Sequence, residues 1–597
     1  MCGIVGYIGT RDAVERLLKG LKSLEYRGYD SSGIAVHTGN HLAVVKRAGK
    51  LSHLEAAIAE HPLSGHCGIG HTRWATHGAA TDLNAHPFIS SYSKFAVVHN
   101  GIITNYLEVA AFLRERGIVL SSDTDSEVVA HLIDFYYTGD VSAALRRAVS
   151  ALKGSFALGV LSVYEPEKLY GVRKDSPLIL GKGEKEFSLC SDISGISDFC
   201  DRYCPLENGE IVCVTESGAE IFDFAGKKRE VLYSEIERDP FAESEECGDY
   251  MRREIGQIPI SLLSGYESFP HEKVRSLLIK GFSRILLIGC GSAYHAALTF
   301  QQAMREWCGV TVEAEIASEY LIERRDNEEG TLVIAVSQSG ETADTLQAVR
   351  KAKSLGGKVL SVCNVRASSL VRLSEEAIIT RCGVEHAVAA TKSYVSQVHS
   401  LLMICLEYAE ISGKMDDQTI YAIREELREI SSKIEEVIHE ENYLATVARM
   451  MKDAEAVYFL GRKQDYAAAK EGSLKLKEIS YLFSEAYPAG ELKHGTLALM
   501  EKGVFALFLL TDPLLAERHA SSVAEVACRG TSAVVIASKS LAENAGGEYV
   551  IALPDCTPLL SPLLSAVAMQ LIAYHIAKAR GCDVDKPRNL AKSVTVE

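Results

Sequence analysis

The sequence predicts an α/β protein: an N-terminal α+β domain followed by two α/β domains with parallel sheets. Residues 2–235 contain many short apolar segments, and an acidic, aperiodic stretch follows at 236–250. Beyond it, apolar strands alternate with long amphipathic helices, and this pattern occurs twice. We therefore expect domains at 2–235, 251–415 and 416–580, a linker at 236–250, and a tail at 581–597.

The N-terminal part shows short strand-like segments and two helical segments. The expected strands are Gly33–His37, Leu42–Lys46, Phe95–Val98, Phe156–Val163 and Ile211–Val214, and the expected helices are Asp12–Leu24 and Ser126–Tyr137.

The second half contains an internal repeat with an offset of about 172 to 174 residues. The paired strands are Arg284–Gly289 with Ala456–Gly461, Thr331–Val336 with Val504–Leu509, and Lys358–Val362 with Ser532–Ile536. A helix at Asp416–Ile438 connects the copies. Each copy is expected to hold its ligand at the carboxyl ends of its strands.

Composition limits the function classes of this 597-residue chain. Its formal net charge is −16 and no Lys/Arg block occurs, so a nucleic-acid partner is not expected. Its 15 cysteines show no paired spacing, which is typical of a reducing compartment, here the cytoplasm. No apolar run approaches 18 residues and no signal peptide is recognisable, so a membrane partner is not expected either.

Cys2 is a candidate nucleophile because removal of Met1 would leave it as the first residue. Its free α-amine, with a pKa of about 8, could then accept the thiol proton near neutral pH. The alternative is that Cys2 only begins a buried strand.

Five downstream segments bear on this choice: Tyr26–Ser31, Gly70–Gly78, Asn84–Pro87, Val97–Ile103 and Thr124–Glu127. Together with Cys2 and in this order, they resemble the glutaminase domain of the class II amidotransferases, the N-terminal-nucleophile family. The resemblance covers roughly residues 2–235 and implies an αββα fold.

The resemblance implies a role for each polar residue of these segments. Asn100 and Gly101 would donate hydrogen bonds to the tetrahedral oxyanion. Arg73 would bind the α-carboxylate of glutamine and Asp125 its α-ammonium, although a surface salt bridge is the plain alternative. Trp74 and His77 complete the set of glutamine-binding residues that the resemblance implies. Trp74 is equally a candidate for a core aromatic residue or for the gate of an ammonia channel.

No metal site is expected, because His71, His77 and His86 lack tight ligand spacing and a Cys partner. No cofactor is expected either.

Ser337–Thr342 follows a strand of the first copy and opens a helix. Hydroxyls, an amide and a glycine at a helix N-terminus suit a phosphate, although a simple N-cap cluster is the alternative. The equivalent loop of the second copy, Thr511–Pro513, lacks these groups, so only the first copy should bind phosphate. Gly289–Gly291 could instead begin a dinucleotide motif, but the third glycine is missing.

A second resemblance rests on six segments: Cys290–Ser292, Ser337–Thr342, Ala389–Lys392, Leu474–Ile479, Gly490–Gly495 and Pro587–Glu597. They resemble the paired sugar-isomerase (SIS) domains of phosphosugar enzymes. The whole chain is therefore similar to bacterial two-part amidotransferases that convert glutamine and fructose 6-phosphate to glutamate and glucosamine 6-phosphate, passing ammonia between two active sites.

This resemblance implies that Lys592 forms a Schiff base with the sugar, that Glu478 moves a proton between C1 and C2, and that His494 assists ring opening. The sugar phosphate would be bound by Ser292, Ser337, Gln338, Ser339, Thr342, Val388, Lys475 and Ala591. A homodimer is implied, in which His494 serves the neighbouring subunit.

Ala293 and Ala390 replace hydroxyl residues of the family pattern, and each lost hydrogen bond would cost about 0.5–1.5 kcal/mol. Two other functions stay open: a non-catalytic phosphosugar sensor and a phosphoribosyl-pyrophosphate amidotransferase.

Overall fold

The computed structural model of the chain describes residues 2–39, 41–74, 78–236 and 248–594. The chain forms two compact units, Met1–Ala242 with Ser593–Glu597, and Glu243–Lys592. The first unit contains antiparallel sheets and the second contains parallel sheets, which confirms the predicted fold class. The domain boundaries proposed above stay predictions.

The first unit contains fifteen described strands and five described α-helices. The strands are β1 Gly3–Gly9, β2 Ser31–His37, β3 Leu42–Ala48, β4 Cys67–Arg73, β5 Phe88–Ile89, β6 Phe95–Ile103, β7 Gly154–Ser162, β8 Leu169–Lys174, β9 Ile179–Lys182, β10 Glu186–Cys190, β11 Arg202–Pro205, β12 Glu210–Thr215, β13 Gly218–Asp223, β14 Lys228–Arg229 and β15 Ser234–Glu235. The helices are α1 Ala13–Leu24, α2 Leu51–Glu60, α3 Tyr106–Arg114, α4 Glu127–Tyr136 and α5 Val141–Ala151.

These strands form two sheets, in the orders β15-β11-β9-β10-β1-β4-β2-β3 and β14-β13-β12-β8-β7-β6-β5. One core joins the first sheet to α1 and α2, a second lies between the sheets, and a third joins the second sheet to α3, α4 and α5. Alternation along the strands explains this layering, because Ile4 and Ile8 face the other sheet while Val5 and Tyr7 face the helices. The unit is therefore a four-layer αββα sandwich, as predicted.

The second unit contains ten described strands and fourteen described α-helices. The strands are β16 Arg284–Gly289, β17 Glu313–Ile316, β18 Thr331–Ser337, β19 Lys358–Cys363, β20 Glu376–Ile379, β21 Ala456–Gly461, β22 Ser484–Pro488, β23 Val504–Leu510, β24 Ser532–Ser538 and β25 Tyr549–Leu553. The helices are α6 Tyr250–Gly256, α7 Ile258–Glu267, α8 His271–Leu278, α9 Ser292–Cys308, α10 Ala317–Ile322, α11 Ala343–Ser354, α12 Ser369–Leu373, α13 Lys392–Ser412, α14 Asp417–His439, α15 Glu441–Met451, α16 Gln464–Ser480, α17 Ala516–Ala527, α18 Lys539–Ala542 and α19 Ser561–Ala579.

The two parallel sheets have the same strand order. The first is β17-β16-β18-β19-β20 and the second is β22-β21-β23-β24-β25, so each copy reads 2-1-3-4-5. The repeat predicted from sequence is therefore confirmed. The helix that follows the first strand of each copy, α9 or α16, packs against its counterpart, and one hydrophobic core extends through both copies.

The expectation that no segment is long and apolar enough to cross a membrane was wrong in one place. Pro558–Ala579 has 22 residues and a mean hydropathy of 1.6. However, 89% of its most apolar window is buried, and α19 packs against α15 and α16. Its apolar surface is therefore covered by the protein core.

Candidate active sites

Cys2 immediately precedes β1, at the point where β1, β4 and β6 come together. Its Sγ accepts a hydrogen bond from the backbone N–H of Trp74 at 3.3 Å, just after β4. Asn100 in β6 donates from Nδ2 to the Cys2 carbonyl oxygen at 2.9 Å. Burial raises the pKa of the Cys2 thiol, and the nearby Arg73 partly opposes this rise.

Gly101 follows Asn100 and occupies a position that no other residue fits. Its φ is +128°, and a Cβ atom there would lie 2.0 Å from the carbonyl oxygen of Ser155 on β7. The close contact between β6 and β7 therefore requires glycine. The structure thus brings Cys2, Asn100 and Gly101 together.

The two predicted glutamine-binding charges are buried near the thiol. Arg73 donates to the carbonyl oxygens of Gly78 at 3.1 Å and Ala79 at 3.3 Å. Asp125 accepts the backbone N–H of Ile103 at 2.8 Å. Both side chains influence the pKa of the Cys2 thiol, Arg73 by lowering it and Asp125 by raising it.

Trp74 is half-buried beside the thiol and contacts Tyr29 edge to face, with ring centroids 6.1 Å apart. Gly28 lies against the backbone that joins Arg73 to Trp74. A Cβ atom at Gly28 would lie 2.7 Å from the Arg73 carbonyl carbon, so this close backbone contact requires glycine. His77, the remaining predicted glutamine-binding residue, lies outside the described residues.

A cavity of about 170 Å³ opens at the carboxyl ends of β16 and β18. These strands flank the point where the strand order reverses, which is the usual ligand position in open α/β sheets. The predicted residues that line this cavity are Ser292, Ser337, Gln338, Ser339, Thr342, Val388, Lys475, Glu478, Ala591 and Lys592. Every predicted sugar-site residue except His494 is therefore placed here, although their roles stay predictions.

The loop from β18 to α11 is ordered by its own hydroxyls. Ser337 Oγ accepts the backbone N–H of Gly340 at 3.0 Å, and Ser339 Oγ accepts that of Glu341 at 3.2 Å. Gly340 has a φ of +65°, and a Cβ atom there would lie 2.2 Å from Ser368 Oγ. Thr342 occupies the N-cap position of α11, so the loop ends at a positive helix terminus.

Helix α16 of the second copy supplies acid–base groups to the cavity of the first. Lys475 Nζ lies 2.5 Å from Glu478 Oε2 and 3.4 Å from Glu471 Oε1. Glu471 also accepts from Ser292 Oγ at 2.8 Å. Burial, only partly opposed by Lys475, raises the pKa of Glu478, which favours a carboxyl that can both donate and accept a proton.

Lys592 is buried and ion-paired with Glu385. Glu385 also accepts the backbone N–H groups of Thr391 and Ser393, each at 3.0 Å. Burial would raise the pKa of Glu385, but Lys592 and Ser393 outweigh burial and lower this pKa to about 2. The carboxylate is therefore charged and fixed beside the amine.

A second buried carboxyl, Glu254 on α6, supports the same loop. It accepts the backbone N–H groups of His386 at 2.5 Å and Ala387 at 3.1 Å, and the Thr391 hydroxyl at 3.1 Å. Burial and the neighbouring Glu385 raise the pKa of Glu254 to about 7.

The equivalent position in the second copy is filled by Asp465. Its carboxylate accepts the backbone N–H of Thr511 at 3.0 Å and the Thr511 hydroxyl at 2.5 Å. Asp465 is fully buried at the carboxyl ends of β21 and β23. A carboxyl group of the chain itself therefore occupies the strand ends that correspond to the predicted phosphate loop of the first copy.

His494 ends the 3₁₀ helix Ala489–His494, is exposed, and does not line the cavity of its own chain. Its contribution to a neighbouring subunit's site stays a prediction.

The sequence analysis missed Glu254, Glu385 and Glu471. Glu471 could have been found, because it lies four residues before Lys475 and so on the same helix face. Glu254 and Glu385 carry no such signal, since each depends on partners distant in sequence.

Comparison with known proteins agrees with this geometry. The family model described as "SIS domain" matches residues 278–406 and 450–579, and the model described as "Glutamine amidotransferase domain" matches residues 71–198. The chain is 42% identical over 611 residues to "Glutamine–fructose-6-phosphate aminotransferase [isomerizing]" of Clostridium perfringens, and 41% identical over 607 residues to the protein of the same name from Thermus thermophilus. Both alignments cover 100% of each chain.

Among solved structures, the chain is similar to the C-terminal domain of glucosamine-fructose-6-phosphate aminotransferase from Francisella tularensis. The identity is 33% and the TM-score is 0.56, and the match covers 58% of this chain and 100% of that one.

Proposed function

The chain belongs to the glutamine–fructose-6-phosphate aminotransferase (isomerizing) family, and we propose that it converts glutamine and fructose 6-phosphate to glutamate and glucosamine 6-phosphate. One observation supports this most strongly. Lys592, Glu478 and the Ser337–Thr342 loop line a single cavity, in a chain that also brings Cys2 to Asn100. No cofactor is part of the proposal.

In the glutaminase half, we propose that Met1 is removed and that the Cys2 α-amine accepts the thiol proton. The thiolate adds to the glutamine side-chain amide, and the oxyanion accepts hydrogen bonds from Asn100 Nδ2 and the Gly101 N–H. Collapse of this adduct releases ammonia and leaves a thioester, which water cleaves to glutamate. Arg73 and Asp125 select free glutamine by binding its α-carboxylate and α-ammonium.

In the isomerase half, Lys592 must lose a proton before its amine can attack the C2 ketone of the open-chain sugar. Glu385 is adjacent and charged, so it holds the Lys592 side chain in place, but its pKa of about 2 makes it too weak a base to accept that proton, which leaves to solvent. Exchange with ammonia leaves nitrogen on C2 and frees Lys592. Glu478 then moves a proton from C1 to C2, which converts the 2-imine to the 2-amino aldose.

We further propose that ammonia passes between the two sites inside the protein, with Trp74 as the gate. Free ammonia would be protonated in water and lost as a nucleophile. The half-buried position of Trp74 beside the Cys2 thiol supports this role.

The protein is proposed to act as a homodimer in the cytoplasm. His494 is exposed and absent from the cavity lining of its own chain, which supports a contribution to the partner's site. All fourteen cysteines of the described chain are free thiols, which fits a reducing compartment.

The direct test incubates the purified protein with glutamine and fructose 6-phosphate and measures glutamate and amino-sugar phosphate by mass spectrometry. Both products should appear in equal amounts. Cys2→Ala should lower glutamine hydrolysis by several orders of magnitude, because the nucleophile is lost. Its sugar site is intact, so any nitrogen-independent isomerisation of fructose 6-phosphate should persist. Full-rate hydrolysis by a chain that retains Met1 would contradict the N-terminal-nucleophile mechanism.

A further inference from the structure

His71 links the two sheets of the first unit at the Cys2 end. It lies in β4 on the same strand face as Ile69, which belongs to the core between the sheets. Asn100 lies in β6 of the facing sheet, on the same face as Val98. Because side chains alternate along a strand, the His71 ring and the Asn100 amide meet between the sheets. His71 is completely buried.

The hydrogen bonds of His71 define which of its nitrogens carries the proton. Nε2 lies 3.0 Å from Asn100 Oδ1 and 3.0 Å from the carbonyl oxygen of His99. Both partners can only accept, so Nε2 must be the N–H donor. Nδ1 has no hydrogen-bond partner within the described part of the chain.

The same pattern fixes the orientation of the Asn100 amide. Nδ2 lies 2.9 Å from the Cys2 carbonyl oxygen, which also can only accept. A rotated amide would place two oxygens together at Cys2 and two N–H donors together at His71. Only one orientation therefore satisfies both ends.

His71 is an uncharged donor at any ordinary pH. Burial lowers its pKa to about 3, against smaller opposing contributions from Asn100 and His99. The ring also contacts that of His86 in a tilted arrangement, with centroids 4.0 Å apart and an interplanar angle of 38°. Its position and its single proton are thus both fixed.

We propose that His71 is a positioning residue for glutamine hydrolysis: its Nε2–H holds Asn100 so that Nδ2 faces the oxyanion formed when Cys2 adds to the amide. If the Asn100 amide rotated by 180°, Oδ1 would face the oxyanion. Repulsion between the two oxygens would then take the place of a stabilising hydrogen bond. The inference rests on the proposed glutaminase activity.

A double-mutant cycle tests it, using His71→Phe, Asn100→Ala and the double variant. Loss of one oxyanion donor typically lowers kcat by about 10²–10³. His71→Phe should lower kcat by at least about tenfold with little change in the KM for glutamine. When Asn100 is already replaced by Ala, adding His71→Phe should lower kcat by less than about twofold.

Three further measurements separate positioning from damage to the fold. His71→Gln retains an N–H near the Nε2 position and should recover part of the lost rate. His86→Phe replaces the adjacent imidazole, whose nitrogens have no hydrogen-bond partner in the described chain, with a phenyl ring and should leave kcat within a few-fold. In His71→Phe, affinity for glutamate γ-semialdehyde, which forms a tetrahedral adduct with a thiol, should fall in parallel with kcat, whereas affinity for glutamate should not.

The outcomes are distinct. An unaltered protein that does not hydrolyse glutamine would overturn the proposed function itself. An active protein in which the effects of His71→Phe and Asn100→Ala multiply, or in which His86→Phe is as damaging as His71→Phe, would overturn the positioning role alone.

Discussion

Lys592 lines the cavity at the carboxyl ends of β16 and β18, with the buried carboxylate of Glu385 as its ionic partner. Lys592→Arg should keep the ion pair with Glu385, since a guanidinium stays protonated, but it cannot form a Schiff base. We expect glucosamine 6-phosphate synthesis to fall by about 10³-fold or more while glutamine hydrolysis persists. Borohydride reduction in the presence of fructose 6-phosphate should trap a sugar adduct only in the unaltered protein. The same adduct in the variant would contradict the assignment.

Glu254 should lower the free energy of unfolding as pH rises, whereas most carboxylates of folded proteins raise it. Its folded-state pKa of about 7 exceeds the unfolded value of about 4.3. The folded chain therefore binds more protons between these values, and the stability due to this group is lost as pH rises through 7. Glu254→Gln should flatten the fall in unfolding free energy from pH 5 to 7, measured by urea denaturation. Parallel curves for the two proteins would contradict the raised pKa.

At the scale of elements, the β18–α11 loop depends on one glycine for its shape. Gly340→Ala should raise the KM for fructose 6-phosphate at least about tenfold, because the new Cβ would meet Ser368 Oγ. Gly309→Ala, at the end of α9, is the matched control. Its φ of +64° is almost the same, but no atom lies within 4 Å of the new Cβ.

Gly309→Ala should lose about 1 kcal/mol of stability from the left-handed backbone, measurable by thermal denaturation, and Gly340→Ala should lose more because its Cβ also meets Ser368. Only Gly340→Ala should change the KM. An equal KM change in both would show that the loop does not act through its local geometry.

The elements that sequence predicted best are those whose signal is local. The repeat strands, such as Arg284–Gly289 and Ala456–Gly461, follow from apolar runs at a constant offset, and their bounds agree with the structure. The order of strands in the first unit could not be predicted, because antiparallel pairing such as β1 with β10 joins residues about 180 positions apart.

The residues of the candidate sugar site also differ in how well the sequence predicted them. Its loop at Ser337–Thr342 is one contiguous segment and was found from sequence. The pairing of Lys592 with Glu385 was not, because burial of a carboxylate depends on donors brought together only by the fold.

At the scale of the whole molecule, the exposed position of His494 leads to a test of assembly. His494→Ala and Lys592→Arg should each abolish synthesis, but mixing them should restore part of it, because a hybrid dimer contains one complete site. If equal amounts are mixed and the subunits pair at random in two-fold dimers, about half of the dimers should be hybrids after full exchange. Product formation is measured after exchange has been shown by mass spectrometry. Exchange without any recovered activity would contradict the shared site.

Asp465 distinguishes the second copy of the repeat from the first. In the second copy the carboxyl group of Asp465 accepts the hydrogen bonds of the Thr511 N–H and hydroxyl, so the chain itself satisfies these donors at the strand ends. Helix α16, which begins next to Asp465, provides Lys475 and Glu478 to the cavity of the first copy. The two copies therefore differ at their strand ends, because the first has an open cavity there and the second contributes side chains to that cavity.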